Sequence, residues 1–253
     1  MYWVCIWVKP SIKVSNGPFI LLGGKRLRSN HLLIKPTPWD TSALKMPTWE
    51  ILEYSIDALC LMKENPGHYT LKVNPLANKS LLHGHGFYYC DTLLEPYCNL
   101  IMLRQFNHPE VSISKAHLNK EAILRICDHA FTHGRFHRDF NIDNDLADHR
   151  YLQWLEELFT AQKVYGLFWR KELAGFIAYS ENSLVLHALS KKFRGKSLSK
   201  YWWSLVCQEL LLSDKANDIT SSISASNLAA LNLYSSLGFV FRKSYDVYHR
   251  IVI

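Results

Sequence analysis

The sequence predicts an α/β protein of the α+β kind, in which a mixed, mostly antiparallel sheet is flanked by helices. Two observations lead to this fold class. Short apolar or alternating runs bounded by turn residues are typical of strands, and longer amphipathic runs are typical of helices. From residue 117 onward these runs follow the order helix, helix, strand, strand, strand, helix, strand, helix, strand, which favours a mixed sheet.

Composition narrows the functional classes. The 253 residues suffice for a substantial core, and 48% hydrophobic with 20% charged residues is ordinary for a globular protein. No apolar run approaches the roughly 20 residues that span a bilayer. Residues 1–8 are apolar but lack the basic start and small-residue cleavage site of a signal peptide. We therefore expect a cytoplasmic protein without a membrane span.

The cysteines and the charge give two further expectations. Six scattered cysteines without a Cys-x-x-Cys pair predict reduced, mostly buried thiols. A net charge of +7 predicts an anionic partner, such as a phosphorylated cofactor or substrate. Nucleic acid is not expected, because the basic residues are not arranged in a stripe interleaved with stacking aromatic residues.

The chain divides into a lead-in and two half-units. Residues 1–35 show weak periodicity and are interpreted as a lead-in of unclear structure. Residues 36–108 and 112–253 are interpreted as separate domains, with the polar stretch Gln105–Glu110 as a linker.

In the first half-unit, local patterns predict a few elements. They are a rigid extended passage at Pro36–Asp40, a strand at Tyr69–Val73, a helix at Leu76–His83 and a strand at Phe87–Leu94. The dense apolar stretch Trp49–Met62 fits a helix or a strand equally well.

In the second half-unit, more elements can be placed. They are helices at His117–Ala130 and Asp148–Leu158, strands at Gln162–Trp169, Glu172–Tyr179 and Leu184–Leu189, a helix to about Leu212 and a helix from Asn227 to Gly238. A polar, aromatic loop, Phe131–Asp139, joins the first two helices.

A short likeness relates the two half-units. His85-Gly86-Phe87 and Leu237-Gly238-Phe239 each close a helical stretch and precede a strand. Leu82 occupies the position that corresponds to Tyr234. The first half-unit also lacks a basic turn, so only the second is equipped for chemistry.

The turn Lys191–Ser199 is the main candidate for anion binding. It follows a strand, carries small and basic residues and opens a helix, where free N–H groups and the helix dipole attract an anion. A solvated basic turn is the alternative.

Two motifs together resemble the GNAT superfamily of acyl-CoA N-acyltransferases: Phe193-Arg-Gly-Lys-Ser-Leu-Ser199, and the spacing of Asn227, Ala230, Leu233, Tyr234 and Leu237-Gly238-Phe239. The resemblance covers about residues 112–253. It implies the GNAT fold and acetyl-CoA as co-substrate. The residues that it assigns to coenzyme A are Leu189, Arg194, Gly195, Lys196, Ser197, Leu198, Ser199 and Asn227.

Ser197 and Ser199 depart from the family pattern, which prefers Gly or Ala there. Glycine allows a close approach of the backbone to phosphate and tolerates unusual φ. Serine is the next smallest polar residue, and its hydroxyl can donate to phosphate or cap the helix. For Asn227, bonding the cofactor arm and capping the helix remain equal alternatives.

The resemblance also implies a catalytic residue. The strand Leu184–Leu189 would separate from its neighbour, and its free backbone groups near Leu189 would bind the pantetheine arm and the developing oxyanion. Tyr234, with a reference pKa near 10, suits a proton donor to the leaving thiolate. A buried core tyrosine is the alternative, and His187, Glu172 or a water relay remain open as the base.

A second likeness concerns the acceptor. Gly134-Arg-Phe-His-Arg-Asp139, with Tyr151 and Trp154 on the following helix, is similar to TDP-fucosamine acetyltransferase and its relatives. It implies a nucleotide-linked amino sugar of surface polysaccharide (lipopolysaccharide) synthesis as acceptor, and a first half-unit that is a partial GNAT-like domain. Arg135, His137 and Asp139 would then bind substrate, with Arg135 pairing with a phosphate. A structural surface loop is the alternative.

Three alternatives stay open at this stage. The acceptor could instead be a protein N-terminus or a small metabolite, and the domain could be a binding module without activity. A homodimer is left open. No metal is expected, since His129, His133 and His137 are spaced by four but do not form a complete ligand set.

Overall fold

The computed structural model describes residues 33–213 and 217–253, so the interpretation of residues 1–32 as a lead-in lies outside the described residues. The strands are β1 (Ile34–Pro36), β2 (Thr48–Ile51), β3 (Gly67–Val73), β4 (Tyr88–Cys98), β5 (Val111–Ser114), β6 (Val164–Trp169), β7 (Glu172–Ser180), β8 (Ser183–Leu189), β9 (Ile219–Ser221), β10 (Ile223–Ser224) and β11 (Val240–Val252). The α-helices are α1 (Pro38–Leu44), α2 (Ile56–Leu61), α3 (Ser80–Gly84), α4 (Lys120–Cys127), α5 (Asn144–Thr160), α6 (Ser199–Ser213) and α7 (Leu228–Ser236). Short 3-10 turns lie at Met62–Glu64 and Lys191–Phe193.

The strands form one 11-stranded sheet in the order β1-β2-β3-β11-β4-β9-β8-β7-β6-β5, and β10 also pairs with β4. The pairs β2–β3 and β8–β9 are parallel, and the other pairs are antiparallel. The mixed, mostly antiparallel sheet predicted from the sequence is confirmed.

The two half-units exchange their last strands. Strands β3 and β4 are neighbours in the chain, but β11 lies between them and pairs with both, so that Tyr248 is opposite Leu71 on one side and Tyr89 on the other. Strand β4 in turn pairs with β9 and β10 of the second half-unit. The sheet is therefore continuous across the boundary between the half-units.

Two helix–Gly–Phe–strand corners, at residues 82–88 and 234–240, have the same backbone. Gly86 and Gly238 both adopt a positive φ, +73° and +92°. The N–H of Phe87 donates to the Leu82 carbonyl at 3.0 Å, and the N–H of Phe239 donates to the Tyr234 carbonyl at 3.0 Å. These are the bonds that close a helix end. The predicted equivalence of Leu82 and Tyr234 is confirmed at this local level.

Apolar side chains cover both faces of the sheet in the second half-unit. Helices α6 and α7 supply Trp202, Trp203 and Leu233 to one face. Helices α4 and α5 supply Ile123 and Trp154 to the other. The buried Trp202 indole also donates to the Phe168 carbonyl at 2.9 Å, which ties α6 to β6.

Several predicted elements were wrong in detail. Pro36–Asp40 is not wholly extended: Pro38 begins α1, where its fixed φ and missing N–H cost nothing. The stretch Trp49–Met62, for which helix and strand were left open, contains one of each, β2 and α2. The helix predicted at Leu76–His83 begins only at Ser80.

The helix predicted at His117–Ala130 is shorter and runs from Lys120 to Cys127. The Asn119 side chain accepts from the Ala122 N–H at 2.9 Å and starts the helix. His117 and His129 adopt positive φ and lie outside it. The following helix, by contrast, extends beyond its predicted bounds to Asn144–Thr160.

Cys90, Cys98, Cys127 and Cys207 are buried free thiols, and Cys60 is an exposed one. Within the described residues, no helix has the length and apolar character to cross a membrane.

Candidate active site

Strand β8 separates from its parallel neighbour. Among the described residues, the two strands pair where Ser183 is opposite Thr220 and Leu184 is opposite Ser221. The chain then continues from β9 into β10, which pairs with β4, while β8 stays paired with β7 up to Leu189. A wedge therefore opens between the end of β8 and β10, as the resemblance implied.

The basic turn lies at the end of β8 and leads into α6. Gly195 adopts φ +73°, and a Cβ there would meet nothing within 4 Å. Ser197 adopts φ +57°, the left-handed region that favours glycine. Gly195, Lys196 and Ser197 are all exposed. The backbone thus takes the glycine-type conformation at Ser197 even though the residue is serine.

Side chains around this turn attach it to β7 and β8. The Arg194 Nε donates to the Leu189 carbonyl at 2.7 Å, so this arginine holds the turn against the end of β8. Lys192 pairs with Glu172 at 2.6 Å on the surface, which leaves Glu172 an ion-paired carboxylate rather than a free base. Leu198 is half-buried, and Ser199, the first residue of α6, is buried. An exposed loop with two positive φ values at the N-terminus of a long helix is suited to a phosphate group.

Tyr234 and His187 meet in the core beneath this region. The Tyr234 hydroxyl lies 3.1 Å from His187 Nε2, and both side chains are fully buried. Burial lowers the pKa of His187 to about 3, so the imidazole is neutral at physiological pH. A neutral imidazole can accept from the phenol or donate to its oxygen, and either arrangement orients the hydroxyl.

Asn227 caps α7. Its side-chain oxygen accepts from the Ala230 N–H at 3.1 Å, and the residue is buried. Of the two alternatives at this position the cap is present, and contact with a cofactor stays a prediction.

The three loop residues predicted to bind substrate are held by the fold. Arg135 is 1% exposed, lies 4.6 Å from the Phe136 ring, and has two buried nitrogens, Nε and Nη1, without a hydrogen-bond partner. His137 Nε2 lies 3.1 Å from Asp148. Asp139 is 1% exposed and contacts His249. Their role in substrate binding stays a prediction.

Burial alone would raise the pKa of Asp139, but hydrogen bonds from His249 and His68 outweigh it and hold the pKa well below its usual range. His129 and His137 both bind Asp148, at 2.5 and 3.1 Å. These two histidines therefore share one carboxylate of α5, which the sequence spacing of four did not reveal.

Asp91 is a candidate functional residue that sequence reasoning missed. Its Oδ1 accepts from Arg138 at 2.8 Å and from the Ser224 hydroxyl at 2.7 Å, and its Oδ2 is buried without a partner. Burial raises its pKa to about 6, although Ser224 and Arg138 lower it. Because Ser224 ends β10, the carboxylate stands beside the wedge. The available signal was a lone acidic residue within the apolar strand Phe87–Leu94.

A surface groove lies elsewhere, between α1 and α5. It is lined by Trp39, Arg150, Gln153, Trp154 and Glu157. It contains none of the predicted coenzyme A residues.

Comparison with known proteins identifies the fold. No protein-family model matches the sequence, and no curated protein matches it. Among solved structures, a GCN5-related N-acetyltransferase from Sphaerobacter thermophilus is similar, with 11% identity and a TM-score of 0.53 over 73% of this chain. The match spans 59% of that protein's length, less than two thirds of it.

Two further similar structures carry related descriptions. One is a tandem GNAT protein from the clavulanic acid biosynthesis pathway, with 10% identity and a TM-score of 0.52 over 81% of this chain and 75% of the other. The other is a GCN5-related glucosamine N-acetyltransferase region of a fungal multi-domain GH3 beta-N-acetylglucosaminidase, with 12% identity and a TM-score of 0.52 over 81% of this chain and 30% of the other. At such low identity the likeness concerns the fold, and the described chain has the GNAT fold.

Proposed function

We propose that this protein is a GNAT-superfamily N-acetyltransferase that transfers an acetyl group from acetyl-CoA to a primary amine. The proposal rests on the wedge between β8 and β10. A basic turn with positive φ at Gly195 and Ser197 follows the end of β8, and Tyr234 contacts His187 on the same strand. These three features are of different kinds and all adjoin β8: the wedge opens beside it, the turn follows it, and Tyr234 contacts His187 on it. A core tyrosine or a solvated turn alone would not require the strands to separate.

The turn after β8 and the backbone of β8 offer N–H groups and positive charge that suit acetyl-CoA. Acetyl-CoA supplies an acyl group activated as a thioester. The turn Arg194–Ser199 binds its pyrophosphate with backbone N–H groups at the N-terminus of α6, supported by the charge of Lys196. The backbone of β8 beyond Leu184, where pairing with β9 has ended, binds the pantetheine arm and stabilises the oxyanion.

Two protons move as the C–N bond forms and the C–S bond breaks. Tyr234 donates its hydroxyl proton to the departing sulfur, and His187, held 3.1 Å away, stabilises the phenolate that remains. Asp91 takes the proton that the attacking amine loses, because its pKa of about 6 suits a base at neutral pH better than His187 at about 3. Glu172 is less suited, since both of its carboxylate oxygens accept from Lys192, whereas Oδ2 of Asp91 has no hydrogen-bond partner.

For the acceptor we propose a nucleotide-linked amino sugar of surface polysaccharide synthesis. The support is Arg135, whose Nε and Nη1 are buried without a hydrogen-bond partner and would be satisfied by a phosphate oxygen. Amino sugars also appear in the description of the similar fungal region, a glucosamine N-acetyltransferase. A protein N-terminus or a small metabolite amine is the competing acceptor.

Calorimetry with acetyl-CoA tests the co-substrate. Ser197 permits a sharp pair of variants, because Asp and Asn both tolerate its positive φ. Ser197→Asp places a negative charge where the pyrophosphate binds, without harming the helix N-terminus. We expect the Kd of acetyl-CoA to rise more than about tenfold in Ser197→Asp and to change little in Ser197→Asn. If the wild-type protein binds no acetyl-CoA, the proposal fails and a binding module remains.

A panel of amines tests the acceptor. It should contain nucleotide-linked amino sugars, the free amino sugars, peptides with free N-termini and small polyamines. We expect turnover with the nucleotide-linked amino sugars, reduced in Arg135→Lys because the bidentate phosphate contact is lost. Turnover confined to the peptides or polyamines would replace the proposed acceptor but keep the acetyltransferase.

A further inference from the structure

We propose that His68, Asp139 and His249 form a buried binding site for one divalent metal ion of the zinc type. The three residues come from β3, from the loop between α4 and α5, and from β11. The test of this site measures bound metal and not turnover, so it does not depend on the proposed acetyl transfer.

The ligand atoms converge on one point. Asp139 Oδ2 lies 3.2 Å from His68 Nε2 and 2.8 Å from His249 Nδ1, and all three atoms lie within 4.8 Å of one another. Bonds of about 2.0–2.1 Å to a tetrahedral zinc ion separate neighbouring ligand atoms by about 3.3 Å. One ion can therefore reach all three atoms with small adjustments of the side chains.

Strand pairing brings the two imidazoles together. His249 is opposite Thr70, and His68 is opposite Ile251, so the two histidines are diagonal neighbours on one face of the sheet. Their ring centroids are 4.5 Å apart, and the rings are nearly perpendicular, at 78°. The exchange of β11 into the first half-unit thus creates this pair.

The two oxygens of Asp139 have different surroundings. Oδ1 accepts from the Tyr88 hydroxyl at 3.0 Å and from the Asn141 N–H at 2.9 Å, while Oδ2 faces both imidazoles. This is the arrangement of a monodentate carboxylate ligand, whose other oxygen is oriented by hydrogen bonds. Tyr88 Oη also lies 3.1 Å from Oδ2, so the same hydroxyl contacts both carboxylate oxygens.

The enclosure of the cluster indicates a structural ion. His68, Asp139 and His249 are each at most 1% exposed. Two imidazoles and one carboxylate favour zinc over magnesium or calcium, which take oxygen ligands. An enclosed ion would enter during folding and fasten the loop that carries Arg135 to the first half-unit.

A metal-free cluster is the competing description. In that case both imidazoles donate an N–H to Asp139 Oδ2 and no ion is needed. The guanidinium groups of Arg135 and Arg150 lie 4.6 and 4.4 Å from the Phe136 ring, which also contacts His249, and their positive charge favours this description. The two descriptions differ in metal content, which can be measured.

The test measures metal in the full chain, produced without a histidine tag in zinc-supplemented medium. By elemental mass spectrometry we expect about one equivalent of metal per chain in the wild type and less than about a tenth of an equivalent in Asp139→Asn. His129→Asn is the matched control, because His129 is an exposed histidine that binds a different carboxylate, Asp148. It should keep the full equivalent.

A measurement on the wild type covers the case in which Asp139→Asn does not fold. X-ray absorption at the zinc edge should show nitrogen and oxygen ligands with the outer-shell signal of two imidazoles. Wild-type protein with less than about a tenth of an equivalent, even after refolding with zinc, overturns the proposal. Sulfur ligands in the X-ray absorption spectrum would also overturn it. The same holds for a folded Asp139→Asn variant that retains the metal.

Discussion

The corners at residues 82–88 and 234–240 share one backbone and differ in what surrounds them. Each has a glycine with positive φ and a buried phenylalanine whose N–H closes the helix end. In the first corner Leu82 packs among apolar side chains such as Leu71 and Phe87. In the second, Tyr234 occupies the same position and its hydroxyl meets His187. A local motif thus sets the shape of a corner, and one side chain with its distant partner decides whether the corner can do chemistry.

The largest expected difference between the corners is in stability. A Cβ on Gly238 would lie 2.1 Å from the Met102 carbonyl oxygen, whereas on Gly86 it would lie 3.6 Å from the flexible Arg250 side chain. Both substitutions to Ala also place a side chain at positive φ. We expect Gly86→Ala to lower the free energy of unfolding by about 1 kcal/mol and Gly238→Ala by about 3 kcal/mol or more. Urea unfolding of both variants measures this, and equal losses would contradict the difference in surroundings.

The next difference is in catalysis. Tyr234→Phe keeps the ring but removes the proton donor, so we expect kcat for acetyl transfer to fall about 100-fold. Leu82→Met at the equivalent position is the matched control and should leave kcat unchanged. Steady-state rates with acetyl-CoA and the acceptor found by the panel give the comparison. Unchanged turnover of Tyr234→Phe across pH 6–9 would remove Tyr234 from the mechanism.

The first half-unit is itself expected to take part through Asp91. As a base it must be ionised, so the wild-type rate should fall with decreasing pH below its pKa of about 6. In Asp91→Asn we expect the rate to drop about tenfold or more and this acidic limb to disappear.

The control for Asp91 is Asp246→Asn. Asp246 accepts from Thr92 of the neighbouring strand β4 and pairs with Lys79 just before α3, outside the contacts of Ser224 and Arg138. It should keep the acidic limb. An Asp91→Asn variant that retains the limb would show that another group is the base.

The smallest expected effect concerns the two serines of the turn. Ser197 has positive φ, so Ser197→Gly should raise the free energy of unfolding by about 1 kcal/mol. Ser199 lies in the first turn of α6, so Ser199→Gly should lower it by about 0.5–1 kcal/mol. Urea unfolding measures both variants, whose free energies of unfolding should change in opposite directions. Destabilisation by Ser197→Gly would mean that the serine hydroxyl contributes more than the strain costs.

Elements with a strong local signal were predicted well. The turn before α6, the position of Tyr234 and the two glycine corners depend on residues close together in the chain. The helix predicted at His117–Ala130 was wrong at both ends, since Asn119 starts it and His117 and His129 leave helical φ. Helical periodicity says little about where a helix ends.

Partners far apart in the chain escaped prediction. Asp91 meets Ser224 across 133 positions, and Asp139 meets His249 across 110. Neither contact has a spacing that a local pattern can show. The spacing of His129 and His137 raised the possibility of a metal site, which was not expected. In the structure both histidines are hydrogen-bonded to Asp148.

By itself the sequence determined the alternation of strands and helices in the second half-unit and the two glycine corners, because each follows from backbone and side-chain preferences within a few residues. Only the tertiary structure decided that β11 inserts between β3 and β4, that β8 and β10 separate, and that His68, Asp139 and His249 meet. Strand pairing depends on which apolar faces are buried together, and that choice is made by the whole chain.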